Sequence, residues 1–195
     1  PERSLTFARG LRTVLRADPD IIMVGEIRDL ETAEIAVQAS LTGHLVLSTI
    51  HANSSIETLR RLNNIGVDFF LLMASLNLVL AQRLVRRLCA ACRVPREPTP
   101  EELKLFPAGS RPAQIYEAKG CKRCMGTGYQ GRVGMFEFLP ITDEIRDHVQ
   151  EGKLSAGLPV IKQTILRTLR QSGMLLINDG VIDFNELERV VGPCH

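Results

Sequence analysis

Two short apolar runs near the start of the chain are typical of strands in a parallel sheet. The first covers residues 20–26 and ends in a carboxylate, and the second covers residues 45–49. Because neither run alternates with polar residues, both are predicted to be buried on both faces. Between them, apolar residues recur every three or four positions from residue 30 to 41, which predicts a helix laid on the sheet. Strand, helix and strand together predict a βαβ unit with a right-handed crossover.

The ends of these two strands carry the first candidate chemistry. Glu26 ends the first strand and His51 follows the second, at the sheet edge where open α/β folds bind ligands. An apolar strand ending in Gly-Glu resembles a Walker B motif, whose carboxylate holds Mg²⁺ or polarises an attacking water. Acids are nevertheless common after such strands, and a lone histidine is more often structural. From these residues alone, a nucleotide site and an ordinary sheet edge both stay open.

The remaining pattern predicts a mostly helical chain with one further strand. Ser54 and Glu57 are spaced as a capping box, which places a helix start there and its end near Gly66. The apolar run 69–81 is too short for a membrane span and is interpreted as part of a buried helix. The predicted helices cover residues 5–16, 54–66, 69–88, 101–105, 143–149, 161–171 and 184–191, and the further strand covers 132–139.

Two C-x-x-C pairs separated by 28 residues form the second candidate site. They are Cys89 with Cys92 and Cys121 with Cys124. Four thiolates around one tetrahedral ion are the structural zinc arrangement. Redox pairs or disulfides are the alternatives, but neither a thioredoxin-type context nor an oxidising compartment is indicated. Iron is chemically suitable too, although the polar surroundings favour zinc. Cys194 is interpreted as a tail residue.

Composition and charge narrow the class of protein. With 45% hydrophobic and 24% charged residues in 195, the chain has the composition of a folded globular protein, not of a disordered or fibrous one. Residues 83–132 carry eleven basic and four acidic side chains, a net charge of +7. Such a module can bind phosphate backbones or anionic lipid headgroups. Its few aromatic residues disfavour nucleic acid, so a zinc-ribbon nucleic-acid-binding module is kept as the alternative function.

The amino-acid sequences of the two strand-end segments resemble those of a known protein family. The segments LRADPDIIMVGEIRD and LTGHLVLSTIHAN, with the paired cysteines, resemble the type II secretion and type IV pilus assembly ATPases over about residues 4–191. The resemblance implies an α/β fold in three parts. These are part of a RecA-like parallel-sheet ATPase core (1–88), a tetracysteine zinc module (89–132) and a C-terminal helical domain (133–195). It further implies a cytoplasmic hexamer, held at the inner membrane by secretion or pilus platform proteins, that hydrolyses ATP with Mg²⁺.

The same resemblance assigns roles to individual residues. It implies that Glu26 is the catalytic carboxylate and that His51 lies beside the phosphate. The supporting candidates for nucleotide binding are Arg28, Asp29, His44 and Thr49, and the metal ligands are Cys89, Cys92, Cys121 and Cys124. Whether Arg9, Arg12 or Arg16 reaches a neighbouring active site is left open.

One motif required for ATP binding is missing. The sequence contains no G-x-x-x-x-G-K-[ST] loop, and its one Gly-Lys pair, at 152–153, is followed by Leu154. This loop supplies the backbone donors and the lysine that hold the phosphates. The chain, which starts without methionine, is therefore expected to be part of a longer protein and to be inactive by itself.

Overall fold

The computed structural model describes residues 7–107, 109–149 and 154–192. Their elements are α1 (Phe7–Leu15), β1 (Ile21–Val24), α2 (Leu30–Leu41), β2 (Leu45–Ser48), α3 (Ser55–Ile65), α4 (Phe69–Ser75), β3 (Leu78–Leu88), β4 (Val94–Arg96), α5 (Pro100–Leu105), β5 (Ile115–Glu117), a 3-10 turn (Lys122–Cys124), β6 (Tyr129–Pro140), α6 (Asp143–Val149), α7 (Leu154–Thr164), α8 (Leu169–Asn178) and α9 (Phe184–Val191). The chain divides into two compact units. The first holds residues up to 79 and residues 139–166, and the second holds residues 80–138 and those from 167 onward.

The predicted βαβ unit is present in the first unit. Strands β1 and β2 are parallel, with Ile21 opposite Leu45 and Val24 opposite Ser48, and α2 connects them. The expectation that both faces of these strands are buried is wrong for the described residues, because Met23 is 77% exposed while Val24 is 1% exposed. The inward residues of β1 pack against α1 and α2, which cover one face of this two-stranded sheet.

The next helix, α3, shows how local signals set its two ends. The Ser54 hydroxyl accepts a hydrogen bond from the Glu57 N–H at 3.2 Å, and Gly66 ends the helix at a φ of 102°, a left-handed conformation suited to glycine. The Glu57 carboxylate binds the N–H of Asn53 instead of that of Ser54. Only the serine half of the predicted capping box is therefore made with the expected partner.

The helix predicted over residues 69–88 is wrong beyond Ser75. Residue 76 is extended, and residues 78–88 form β3, in which buried Val79 and Ala81 alternate with exposed Leu80. Leucine, glutamine and arginine favour helix locally, but pairing with β6 determines the strand. Arg83, Arg86 and Arg87, which fall within the predicted helix, therefore belong to a strand.

The helix predicted over residues 161–171 is also wrong, because it is two helices. Thr168 caps α8 by accepting from the Gln171 N–H, and the Gln171 side chain accepts from the Thr168 N–H. This capping box starts a new helix after the four residues 165–168 that follow α7. Helix α7 lies in the first unit and α8 in the second, so a separate C-terminal helical domain stays a prediction.

The second unit packs α8 and α9 with residues of the strands. Its buried core includes Val85 of β3 and Met135 of β6, together with Leu187 of α9. A Cβ on Gly173 of α8 would lie 2.2 Å from Leu187 and 2.9 Å from Met135, so glycine allows this close approach. Among the described residues, no helix has the length and apolar character needed to cross a bilayer.

Candidate functional site at the strand ends and a cysteine cluster

The parallel register brings Glu26 and His51 together at one edge of the sheet. Because Val24 lies opposite Ser48, the segments after the two strands leave the sheet side by side. The His51 Nε2 atom lies 3.3 Å from Oε1 of Glu26. The Glu26 side chain is 19% exposed and that of His51 is 81% exposed, so the pair faces solvent on the histidine side.

Thr49 fixes the backbone around Glu26. Its hydroxyl donates to the carbonyl of Gly25 at 2.6 Å, and its carbonyl accepts from the N–H of Ile27 at 3.0 Å. These two bonds hold the residues before and after Glu26 against the second strand. Thr49 therefore acts in this structure as a tie between the strand ends.

Arg28 forms an ion pair with Glu26. Its Nε donates to Oε2 at 2.7 Å, and its Nη2 lies 2.6 Å from the same oxygen. The hydrogen bond from Arg28 lowers the pKa of Glu26, and the charges of Arg28, His51 and Arg61 add to that effect against the opposing effect of burial. The sequence analysis did not identify Arg61 as a charge near Glu26. The available signal was its place on α3, the helix that follows His51.

The other two predicted supporting residues are used elsewhere. Asp29 caps α2 through a hydrogen bond from the N–H of Thr32 at 2.8 Å, which lowers the pKa of Asp29. His44 precedes β2, and its Nδ1 lies 3.0 Å from the carbonyl of Ala39. Since His51 follows the same strand, the structure does not bring His44 to the Glu26 edge; four strand residues alone span about 13 Å.

Several sequence candidates fall outside what the structure describes. The side chains of Arg9 and Arg12 and the residues Gly152, Lys153 and Cys194 belong to that group. Arg16 is described and is exposed just beyond α1.

The four cysteines of the two C-x-x-C pairs come together in one cluster. Their sulfur atoms all lie within 4.8 Å of one another. The Sγ atom of Cys124 is 3.7 Å from that of Cys121 and 3.8 Å from that of Cys92. Ligands about 2.3 Å from a tetrahedral zinc ion are about 3.8 Å apart, which matches these two distances. All four are free thiols, with Cys89 and Cys124 buried.

Backbone donors prepare one of these sulfurs for a metal. Burial raises the pKa of the Cys124 thiol, but N–H groups of Cys121 and Gly128, at 3.1 and 3.2 Å from its sulfur, outweigh burial and lower the pKa to about 6. Burial raises the pKa of Cys92 to about 12. Thiolate is the form in which cysteine binds metal, and these two N–H groups favour that form of Cys124.

A buried charge network lies in the same unit as the cysteines. Glu186 is fully buried and accepts hydrogen bonds from Arg86 and Arg189 at 2.6–2.8 Å. Arg86 stacks 4.1 Å above the Tyr129 ring, and the Tyr129 hydroxyl donates to Asp183 at 2.8 Å. Sequence reasoning missed Asp183 and Glu186, since Tyr129 and Arg86 lie 54 and 100 positions away along the chain. Arg189, three positions after Glu186, was the local signal available.

A family model described as type II/IV secretion system protein matches residues 1–189. The chain is 45% identical over 194 residues to the type II secretion system ATPase E of Vibrio cholerae, covering 97% of this chain and 38% of the relative. It is 50% identical over 197 aligned positions to the type IV pilus assembly ATPase PilB of Myxococcus xanthus, covering 96% and 34%. The chain thus spans little more than a third of the length of these relatives.

Solved structures give the same picture of the fold. The Legionella pneumophila ATPase DotB has a TM-score of 0.66 at 25% identity, covering 98% of this chain and 43% of that chain. The pilus retraction motor PilT with bound ADP has a TM-score of 0.65 at 28% identity, covering 97% and 44%. The α/β fold predicted from the sequence is confirmed.

Proposed function

The chain belongs to the type II/IV secretion system protein family, and from that premise we propose that it is the C-terminal part of an ATPase that drives type II secretion or type IV pilus assembly. The observation that supports this most directly is the 3.3 Å approach of His51 to Glu26 at the ends of two parallel strands. A carboxylate and a histidine at that edge suit a nucleotide's Mg²⁺ and phosphates.

Each residue of the strand-end cluster has a role in this proposal. Glu26 supplies a hard oxygen ligand for Mg²⁺ or positions the attacking water, and His51 faces the terminal phosphate. Arg28 supplies a positive charge beside the Glu26 carboxylate. Thr49 keeps the two strand ends in register through its bonds to Gly25 and Ile27. A P-loop outside this chain would bind the remaining phosphate oxygens, which leaves the isolated chain inactive.

The wider assembly is part of the same proposal. Residues 1–88 belong to a RecA-like core, 89–132 to a zinc-binding module and 133–195 to a helical domain. The full-length protein forms a cytoplasmic hexamer that works at the inner membrane with secretion or pilus platform proteins. The sulfur spacing in the cysteine cluster supports zinc as the bound ion.

The alternative, a zinc-ribbon nucleic-acid-binding module, is not favoured. The secretion and pilus ATPases reported above match nearly the whole of this chain. Both tyrosines of the basic region are also engaged by arginines, since Arg86 stacks on Tyr129 and Arg93 on Tyr116. They are therefore poor platforms for stacking bases. Anionic lipid stays the other proposed partner of the basic region.

A carboxylate-to-amide substitution tests the proposal in the full-length protein. Glu26→Gln keeps the size of the side chain and removes its charge, so we expect ATP binding to persist and turnover to fall about a hundredfold or more. Glu34→Gln, at an exposed position of α2, is the matched control and should keep wild-type turnover. Wild-type turnover in Glu26→Gln would exclude Glu26 as the catalytic carboxylate.

A further inference from the structure

Arg28 holds Glu26 with the edge of its guanidinium that also suits phosphate. Its Nε and Nη2 atoms lie 2.7 and 2.6 Å from Oε2 of Glu26. These two N–H groups form the fork with which arginine binds carboxylate and phosphate oxygens alike. A phosphate at this sheet edge therefore competes with Glu26 for the same donors.

The backbone here is fixed, whereas the arginine side chain is exposed. On one side of Arg28, the N–H of Ile27 donates a hydrogen bond to the carbonyl of Thr49. On the other side, the Asp29 carboxylate accepts a hydrogen bond from the N–H of Thr32. The Arg28 side chain is nevertheless 75% exposed, against 19% for Glu26. Arg28 can therefore change partners by rotating its side-chain bonds alone, a fast motion for an exposed side chain.

The ion pair also limits what Glu26 can bind. Arg28 occupies Oε2, and His51 lies beside Oε1. A divalent cation approaching Oε2 would displace a hydrogen bond and meet the positive charge of the guanidinium. When Arg28 turns to a phosphate, both obstacles are removed together.

We infer that Arg28 is an exchangeable counter-ion, which neutralises Glu26 until a phosphate group takes over its guanidinium. The exchange frees the Glu26 carboxylate for Mg²⁺ or water only when phosphate is present. The identity of the ligand, a nucleoside triphosphate, rests on the proposed function. The competition between Glu26 and phosphate depends only on the contacts around Arg28.

Pyrophosphate binding to the 195-residue chain, without Mg²⁺, tests this competition. Binding is followed by NMR at the His51 ring in wild type, Glu26→Gln, Arg28→Gln and the double variant Glu26→Gln/Arg28→Gln. We expect Glu26→Gln to tighten binding about tenfold, because the released guanidinium adds charge-assisted hydrogen bonds. In the Arg28→Gln background the same change should give about twofold, from screened repulsion alone.

Arg61 offers a matched control, because it lowers the pKa of Glu26 through its charge and not through a hydrogen bond. The double variant Glu26→Gln/Arg61→Gln should bind pyrophosphate about tenfold more tightly than Arg61→Gln alone. Circular dichroism confirms the fold of every variant. An equal gain with and without Arg28 would overturn the inference. A full-length protein without ATPase activity would overturn the proposed function and leave this result standing, so the two failures are distinguishable.

Discussion

Replacing the buried carboxylate of Glu186 should destabilise the second compact unit. The side chain is completely buried and is bound by the guanidinium groups of Arg86 and Arg189, as well as by the Arg86 N–H at 2.6 Å. Glu186→Gln keeps the size but offers one acceptor oxygen, and its amide N–H groups would point at other donors. Removing one partner of a buried ion pair typically costs about 3–5 kcal/mol.

Two features of the structure set the magnitude at or slightly below the lower end of this range. The side chains of Arg86 and Arg189 are 42% and 53% exposed, so water can solvate them when the carboxylate is removed. Burial raises the pKa of Glu186, but the arginine hydrogen bonds outweigh it and lower the pKa from 4.5 to about 2, which corresponds to about 3 kcal/mol. We expect Glu186→Gln to lose about 2–3 kcal/mol of the free energy of unfolding at pH 7.

The pH dependence gives this prediction a second readout. Because the pKa of Glu186 is lower in the folded protein, its stabilisation is full above about pH 4.5 and is lost as the pH falls toward 2. The difference between wild type and Glu186→Gln should therefore shrink between pH 5 and about pH 3.

Tyrosine fluorescence during urea unfolding measures this effect in the correct unit. The chain has no tryptophan, and its two tyrosines, Tyr116 and Tyr129, both lie in the second unit. Glu97→Gln, at an exposed position of the same unit, is the control and should change stability by less than about 0.5 kcal/mol. Equal urea midpoints for wild type and Glu186→Gln at pH 7, or a difference that does not depend on pH, would refute the reasoning.

Three further predictions concern the metal, the nucleotide and the packing. Elemental analysis should find one zinc per chain, and metal-free protein from reducing conditions would contradict this. Removing the metal with a chelator, or with Cys89→Ser and Cys121→Ser, should raise hydrogen exchange in residues 89–132 but not in β1 and β2. Calorimetry with ATP and Mg²⁺ on the 195 residues should give millimolar or weaker binding, and a micromolar constant would show that the phosphate site lies elsewhere. Gly173→Ala should lower the free energy of unfolding, measured with urea, by about 1–3 kcal/mol, because its Cβ would overlap Leu187. Unchanged stability would contradict that packing.

Local patterns were sufficient wherever a few neighbouring residues determine the structure. The apolar spacing of α2 and the left-handed glycine at the end of α3 were predicted from the sequence and are present. The paired cysteines were predicted to form one cluster, and their four sulfurs do. Each of these features has its signal within a short segment, or in a motif whose chemistry has few solutions.

The sequence could not specify what distant residues impose. Residues 78–88 have good helix formers, but pairing with β6 makes them a strand, because ladder hydrogen bonds and burial outweigh small differences in helix propensity. The parallel pairing of β1 with β2 places His51 3.3 Å from Glu26, whereas the Nδ1 atom of His44 lies 3.0 Å from the carbonyl of Ala39. Glu186 binds Arg86 across 100 positions, and its role as a buried counter-ion depends on that contact, which no spacing along the chain indicates.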